Sequence, residues 1–123
     1  MNSIKKKTLV LGASTNPARY SNMAIKKLRQ YGHEVVAIGL RPGQVEDVDI
    51  NVSHPDINNL NTITLYLNPD NQKPYYDYIL QQHPQRIVFN PGTENPELEQ
   101  MAKAKGIQTQ EACTLVLLSI DQY

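Results

Sequence analysis

Short apolar runs alternate with longer amphipathic segments along this chain, and most of the apolar runs end at glycine or at Asn-Pro. Brief runs bounded by turn residues are typical of strands that are buried on both faces of a sheet. The pattern predicts five strands, namely Thr8–Leu11, Glu34–Ile38, Thr62–Leu67, Arg86–Phe89 and Gln108–Gln110.

The segments between these strands have helical periodicity. Helices are predicted from about Ser21 to Tyr31, from Pro74 to Gln82, and from Pro96, with Asn95 as N-cap, up to Gly106. Glycine is favoured just after a helix because it adopts left-handed backbone without strain. Leu115–Ile120 fits either a final helix or an edge element, and the polar segment 41–61 has room for a short strand at 48–50.

Strands that alternate with helices pair in parallel through right-handed crossovers. We therefore expect one α/β domain over residues 1–123, with a Rossmann-like three-layer fold. Its parallel sheet would have about five strands in the order 3-2-1-4-5, and helices would cover both faces. Ligands of such sheets bind beyond the carboxyl ends of the strands, where the strand order reverses. In this order that point lies between the first and fourth strands.

Composition narrows the choice of partners. The 12 basic and 12 acidic side chains balance, which argues against nucleic acid or an anionic membrane as a partner. The basic run at 5–7 is expected to be a solvated lead into the first strand. Cys113 is the single cysteine, so no internal disulfide is expected and a cytoplasmic protein is favoured. The three histidines are dispersed, so no metal site is expected.

Two loops at the expected ligand edge carry candidate chemistry. The first, Gly12 to Pro17, can be aligned with the three-glycine dinucleotide fingerprint. Gly12 keeps the first glycine, whereas Ser14 and Pro17 replace the other two. The alignment indicates a modified phosphate loop rather than the NAD version. The second loop, Asn90 to Thr93, is also rich in turn residues.

The end of the second strand gives an independent indication. NAD-binding domains place an acidic residue there to hold the ribose 2′-hydroxyl. This chain has Gly39, Leu40 and Arg41 instead. A cation at this position favours a phosphorylated ribose, as in NADP or coenzyme A, and these residues leave both ligands open.

Several sequence words resemble the small bacterial CoA-binding domain proteins of the YccU-like family. The words are Leu11-Gly12-Ala13-Ser14, Asn16-Pro17, Arg19-Tyr20-Ser21, Gly32-His33-Glu34-Val35, Asn68-Pro69, Gly92 with Asn95-Pro96-Glu97, and Glu111-Ala112-Cys113. That family is similar to the CoA-binding domain of the succinyl-CoA synthetase alpha subunit. The chain departs from it after the second strand, where the family usually has Asn-Pro.

The resemblance implies a domain that holds CoA with its phosphates on the first loop and its adenosine by the loop after the second strand. Gly12, Ser14, Arg19 and Arg41 would be neighbours of the phosphates, and Leu67, Asn68 and Pro69 would line the middle of the ligand. The complete set of candidate binding residues is Gly12, Ala13, Ser14, Asn16, Pro17, Arg19, Tyr20, Gly39, Leu40, Arg41, Leu67, Asn68, Pro69, Asn90 and Gly92.

The favoured function is a stand-alone module, a sensor or carrier, that binds coenzyme A or an acyl-CoA. No nucleophile–base pair stands out at the expected crevice, so no catalytic residue is assigned. The alternatives are an NADP-binding module, an acyl-CoA enzyme that uses Cys113 or is completed by a partner chain, and an interaction domain that has lost its ligand. The expected partner is a small nucleotide-like molecule, and a homodimer or a partner protein stays open.

Overall fold

A computed structural model describes residues 4–123, and within them one mostly parallel sheet has helices on both faces. Its strands are β1 (Thr8–Ala13), β2 (Val35–Gly39), β3 (Gly43–Val45), β4 (Val48–Asn51), β5 (Thr62–Leu65), β6 (Arg86–Phe89) and β7 (Gln108–Glu111). Its helices are α1 (Tyr20–Gln30), α2 (Pro69–Gln72), α3 (Tyr76–Gln82), α4 (Pro96–Ala104) and α5 (Thr114–Ser119), with a 3-10 turn at Lys73–Tyr75.

The strand order is β3-β4-β2-β1-β5-β6-β7, and only the β3–β4 pair is antiparallel. The predicted fold class is confirmed, but the predicted strand count and order were wrong in detail. The predicted third strand is β5, and it pairs with β1 rather than lying beyond β2. β4 takes the place beside β2 instead. The strand order therefore reverses between β1 and β5.

The two further strands lie in the polar segment 41–61, where a short strand at 48–50 was left open and is present as β4, whereas β3 was not predicted. β3 and β4 form a hairpin that buries Val45, Val48 and Ile50. Gln44 of β3 and Asp49 of β4, which pair with each other, are exposed. Strands of three and four residues are too short for a clear apolar pattern.

Alternation along β1 divides the core between the two faces of the sheet. Leu9 and Leu11 pack in the cluster that also contains Ile79 of α3 and Leu98 of α4. Val10 packs in the other cluster, with Ile25 of α1. β1 is therefore buried on both faces, as its continuous apolar run predicted.

The start of α4 and the ends of α1 and α4 follow the expected signals, whereas the helix expected from Pro74 begins at Tyr76 after the 3-10 turn, and α2 was not predicted. The side-chain oxygen of Asn95 accepts a hydrogen bond from the N–H of Leu98 at 3.2 Å, and Pro96 opens α4. Gly32 and Gly106 have φ of 86° and 79°, so each provides the left-handed residue after its helix. The stretch at 115–120 forms part of helix α5, which settles that alternative.

The lysine run ahead of β1 is more than a solvated lead. Lys6 is half-buried, and its ammonium group donates to the carbonyl of Tyr123 at 2.5 Å. Lys5 donates to the carbonyl of Tyr31 at 2.7 Å. The run does lead into β1 and Lys5 is exposed as expected, but Lys6 and Lys7 are half-buried. The hydrogen bonds of Lys5 and Lys6 hold later segments of the chain at the amino end of the sheet.

None of the helices in residues 4–123 is long and apolar enough to cross a membrane.

The end of β2 allows a sharp test of packing. A Cβ atom at Gly39 would lie 2.4 Å from the carbonyl oxygen of Ala13, which is fixed backbone. We expect Gly39→Ala to lower the free energy of unfolding by about 1–3 kcal/mol, as overpacking does elsewhere. Urea unfolding measures this change.

Gly43→Ala is the matched control. Its Cβ atom would also lie 2.4 Å from a neighbour, but that neighbour is the terminal methyl of the exposed Thr15 side chain, which can rotate away. A cost for Gly43→Ala equal to that for Gly39→Ala would contradict the packing argument.

Candidate functional site

A cavity of about 710 Å³ opens at the carboxyl ends of β1 and β2, where such sheets bind ligands. Nine of the residues predicted from the sequence line it. They are Gly12, Ala13, Ser14, Asn16 and Arg19 of the first loop, Gly39, Leu40 and Arg41 after β2, and Leu67 after β5. The volume lies within the range of about 300–1,000 Å³ that is usual for small-molecule sites.

Gly12, the last residue but one of β1, has φ of 101°. The pairing of β1 with β2 shifts register between Leu11 and Ala13, so the strand bulges at this glycine. A Cβ atom here would lie 3.1 Å from the carbonyl carbon of Tyr66, and the left-handed backbone would strain any larger residue. The glycine therefore packs the loop tightly against the end of β5.

The loop is braced by its own side chains. The Ser14 hydroxyl oxygen accepts a hydrogen bond from the N–H of Asn16, and the Asn16 side-chain oxygen accepts one from the N–H of Ala18, each at 3.0 Å. The loop is thus held in one shape, and the Ser14 hydroxyl proton is left free to donate to a ligand.

Asn22 is hydrogen-bonded to the first loop, and this residue was not predicted from the sequence. It lies on α1, is 2% exposed, and donates from its side-chain nitrogen to the carbonyl of Ser14 at 2.9 Å. Its side-chain oxygen has no hydrogen-bond partner among residues 4–123. The available signal was a polar residue next to the buried stripe of Ala24 and Ile25.

The start of α1 faces the same cavity, which Arg19 and Ser21 both line. The residue at the N-cap position is Arg19, and no side chain caps the helix there. The first turn of α1 also contains no acidic residue. The first N–H groups of a helix carry partial positive charge and favour an anion.

The loop after β2 forms the next wall. Gly39 lets β2 end close against the backbone of Ala13, as described above. Leu40 is 88% exposed, and Arg41 beside it is also exposed, although both line the cavity. An apolar side chain and a cation therefore stand at the cavity mouth without a covering group in the described part of the chain.

The opposite wall was not predicted. It contains His54 from the segment after β4, with Asn71, Pro74 and Tyr75 from α2 and the 3-10 turn. Thr15 and Ile38 complete the lining. The irregular segment around His54 carries no periodic signal, so the sequence alone does not bring it to the site.

Aromatic contacts hold His54 in place. Its ring centroid lies 4.9 Å from that of Tyr75 and 5.1 Å from that of Tyr78. The Tyr78 hydroxyl donates to the carbonyl of Pro55 at 2.6 Å. Burial, and to a smaller extent the charge of Asp56, raise the pKa of Tyr78 to about 12, so its phenol stays a neutral donor near pH 7. The segment is therefore fastened to α3.

The charge of the lining is one-sided. Arg19 and Arg41 contribute to the cavity, and no aspartate or glutamate occurs among the described residues that line it. Across residues 4–123, no group of three or more histidine, cysteine, aspartate or glutamate side chains is placed to hold a metal ion. Within a chain of zero net charge, this cavity is suited to an anionic ligand.

Six predicted site residues lie outside the lining. They are Pro17, Tyr20, Asn68, Pro69, Asn90 and Gly92. Tyr20 begins α1 with its side chain exposed, and Pro17 lies in the turn before it. Asn68 instead caps α2 by accepting from the N–H of Asn71 at 2.9 Å, and Pro69 is the first residue of that helix.

The side chain of Asn90, in the loop after β6, is turned toward the protein interior. Asn90 is 3% exposed and donates to the Thr64 hydroxyl at 2.6 Å and to the Leu65 carbonyl at 2.9 Å. Its side-chain oxygen accepts from the N–H of Thr114 at 2.8 Å. Asn90 thus joins β5 and β6 to the start of α5. Gly92 is exposed, with φ of 92°.

Cys113 is placed at the N-cap of α5. Its side chain is half-buried, and it does not line the cavity.

A mostly parallel sheet, helices on both faces and a cavity at the carboxyl edge together define a Rossmann-like α/β domain. Residues 6–119 match the family described as CoA binding domain. The chain belongs to that family, and its membership supports coenzyme A binding in general.

Solved structures agree with this fold. A crystal structure of an uncharacterized protein is 43% identical, covers 98% of this chain and 100% of its own, and superposes with a TM-score of 0.96. A hypothetical protein from Pyrococcus horikoshii OT3 is 23% identical, with coverage of 91% and 80% and a TM-score of 0.81. No functionally curated protein matches the chain.

A dinucleotide-forming acetyl-coenzyme A synthetase from Ca. Korarchaeum cryptofilum also shares the fold, with 16% identity and a TM-score of 0.68. The match covers 88% of this chain but 26% of the synthetase chain. At such identity the likeness concerns the fold alone.

Replacement of Asn90 tests whether this residue stabilises the fold without contacting the ligand. Replacing Asn90 with alanine leaves the buried N–H of Thr114 without its acceptor. We expect a loss of about 2–3 kcal/mol in the free energy of unfolding, because each buried group left unpaired costs about 1–3 kcal/mol. Urea unfolding measures the loss, and CoA affinity of the folded variant should equal that of the wild type.

The exposed Asn58→Ala serves as the control and should unfold like the wild type. A stable Asn90→Ala with weakened CoA binding would show that Asn90 contacts the ligand.

Proposed function

We propose that this chain binds coenzyme A or an acyl-CoA as a stand-alone module, acting as a sensor or carrier, with the phosphates on the loop between β1 and α1. The observation that carries the proposal is the cavity at that loop, where two arginines and the start of α1 meet and no acidic side chain lies in the described lining. Family membership supports the ligand class.

The diphosphate of CoA is the part that suits the first loop. The uncapped N–H groups at the start of α1 offer donors, and the Ser14 hydroxyl proton offers another. Arg19, at the same helix start, can pair with a phosphate oxygen in a charge-assisted hydrogen bond. Because the loop is braced internally, a ligand would meet donors already in position.

Arg41 suits the phosphate on the ribose of CoA. It follows β2, where an acidic residue would select an unmodified ribose, and its side chain is exposed at the cavity mouth. A 3′-phosphate there would gain an attractive charge and lose little hydration. The same argument applies to the 2′-phosphate of NADP, which is therefore the competing ligand.

The segment after β5, with α2 and the 3-10 turn, offers a path for the pantetheine arm. Leu67 and Pro74 give that side of the cavity apolar surface, and Asn71 adds an amide there. One fold neighbour is named as an acetyl-coenzyme A synthetase, and this chain corresponds to about a quarter of it, 26%. That name supports a CoA derivative as the ligand of this fold.

Calorimetric titration with CoA, dephospho-CoA and NADP tests the proposal. We expect CoA to bind about fivefold or more tightly than dephospho-CoA, since a charge-assisted hydrogen bond contributes about 1.5–3 kcal/mol when buried and less when exposed. Arg41→Ala should remove this preference. Lys105→Ala, which deletes one exposed charge at the end of α4, should keep it.

Equal affinities of the wild type for CoA and dephospho-CoA would overturn the role of Arg41. Tighter binding of NADP than of CoA would replace the proposed ligand, and binding of neither nucleotide would refute the proposed function.

A further inference from the structure

His54 is an exposed imidazole at the wall of the cavity with a fixed position. Its ring packs against Tyr75 and Tyr78 at centroid distances of 4.9 and 5.1 Å, with interplanar angles of 43° and 41°. Tyr75 lines the cavity beside it. The segment around His54 has no regular structure, so these contacts and the hydrogen bond from Tyr78 to Pro55 keep the ring at the cavity.

The position of His54 relative to Arg41 suggests which part of the ligand it meets. β2 and β4 are neighbouring parallel strands, and Arg41 and His54 follow them at the same edge of the sheet. In CoA, the 3′-phosphate and the adenine base are attached to one ribose. A phosphate held at Arg41 therefore places the base within a few bonds of Arg41, in the cavity that His54 also lines.

A second surface for the base stands on the rim next to Arg41. Leu40 is 88% exposed and lines the cavity, so its apolar side chain is open to contact with a ligand. A flat apolar base packed against it would remove this surface from solvent. His54 and Leu40 thus offer an aromatic and an aliphatic surface to one planar group.

We propose that His54, supported by Tyr75 and Tyr78, stacks on the adenine base of the ligand, with Leu40 covering the base from the rim. This inference rests on the proposed CoA binding and adds the residues that recognise the base. Stacking on a ring is tolerant of base identity, because every base presents a π-face. The site would therefore read the phosphates by charge and the base by shape and aromaticity.

Adenosine 3′,5′-bisphosphate is the probe, since it carries the base and the 3′-phosphate without the pantetheine arm. Calorimetry compares the wild type, His54→Ala and His54→Phe. His54→Ala should bind the probe about tenfold more weakly, within the range found when a stacking side chain is removed. His54→Phe should restore most of the affinity, because it keeps a ring but no polar nitrogen.

A second readout separates stacking from a structural role of His54. In proton NMR, the His54 ring signals should move upfield when the probe saturates the protein, because the adenine ring current shields them. The ring signals of His83, an exposed histidine after α3, should stay in place. His83→Asn, which suits the left-handed backbone with φ of 46°, is the control variant and should bind the probe normally.

The inference is overturned if His54→Ala binds the probe as the wild type does, or if His54→Phe stays as weak as His54→Ala and no upfield shift occurs. If either result is found while the wild type binds CoA normally, the stacking role of His54 is refuted and the proposed CoA binding stands. A wild type that binds neither CoA nor the probe would overturn the proposed function together with this inference.

Discussion

The close approach of β1 and β2 at their carboxyl ends is the constraint on which the site depends. Gly12 makes a bulge in β1 through a left-handed conformation, and Gly39 lets β2 end against the backbone of Ala13. A Cβ atom at Gly39 would collide with the carbonyl oxygen of Ala13, and one at Gly12 would press against the backbone of Tyr66, just after β5, in a left-handed conformation that side chains rarely adopt. Because both strands end in this compact way, the loops that follow them open onto one cavity instead of filling it.

This geometry explains how a chain with no net charge offers a site for a polyanion. The loop after β1 brings the start of α1 and Arg19 to the cavity, and the loop after β2 brings Arg41. The 12 acidic side chains balance the basic ones over the whole chain, yet none of them occurs in the described lining. The affinity for phosphate groups that we propose would thus arise from where charges are placed and from fixed helix donors, which the total charge does not report.

Local signals in the sequence predicted the class of fold and the part of the cavity lining that follows β1 and β2. Glycines and asparagine–proline pairs marked the strand ends, so the loops at Gly12 and Gly39 were found directly. The sequence did not predict the β3–β4 hairpin, because its strands are short. The predicted strand order was therefore wrong. Asn90 looked like a loop residue because nothing local reveals that its side chain turns inward to Thr64 and Thr114. His54 reaches the cavity only through long-range ring contacts.

The central claim is that the phosphates of CoA lie on the loop between β1 and α1. Amide chemical shifts of the labelled protein during titration with CoA test it most directly. We expect the largest changes at residues 12–16, 19–22 and 39–41, with smaller changes at the loop after β6. Changes concentrated instead at the amino end of the sheet, around Lys6 and Arg86, or at Gly92 and Thr93, would contradict it.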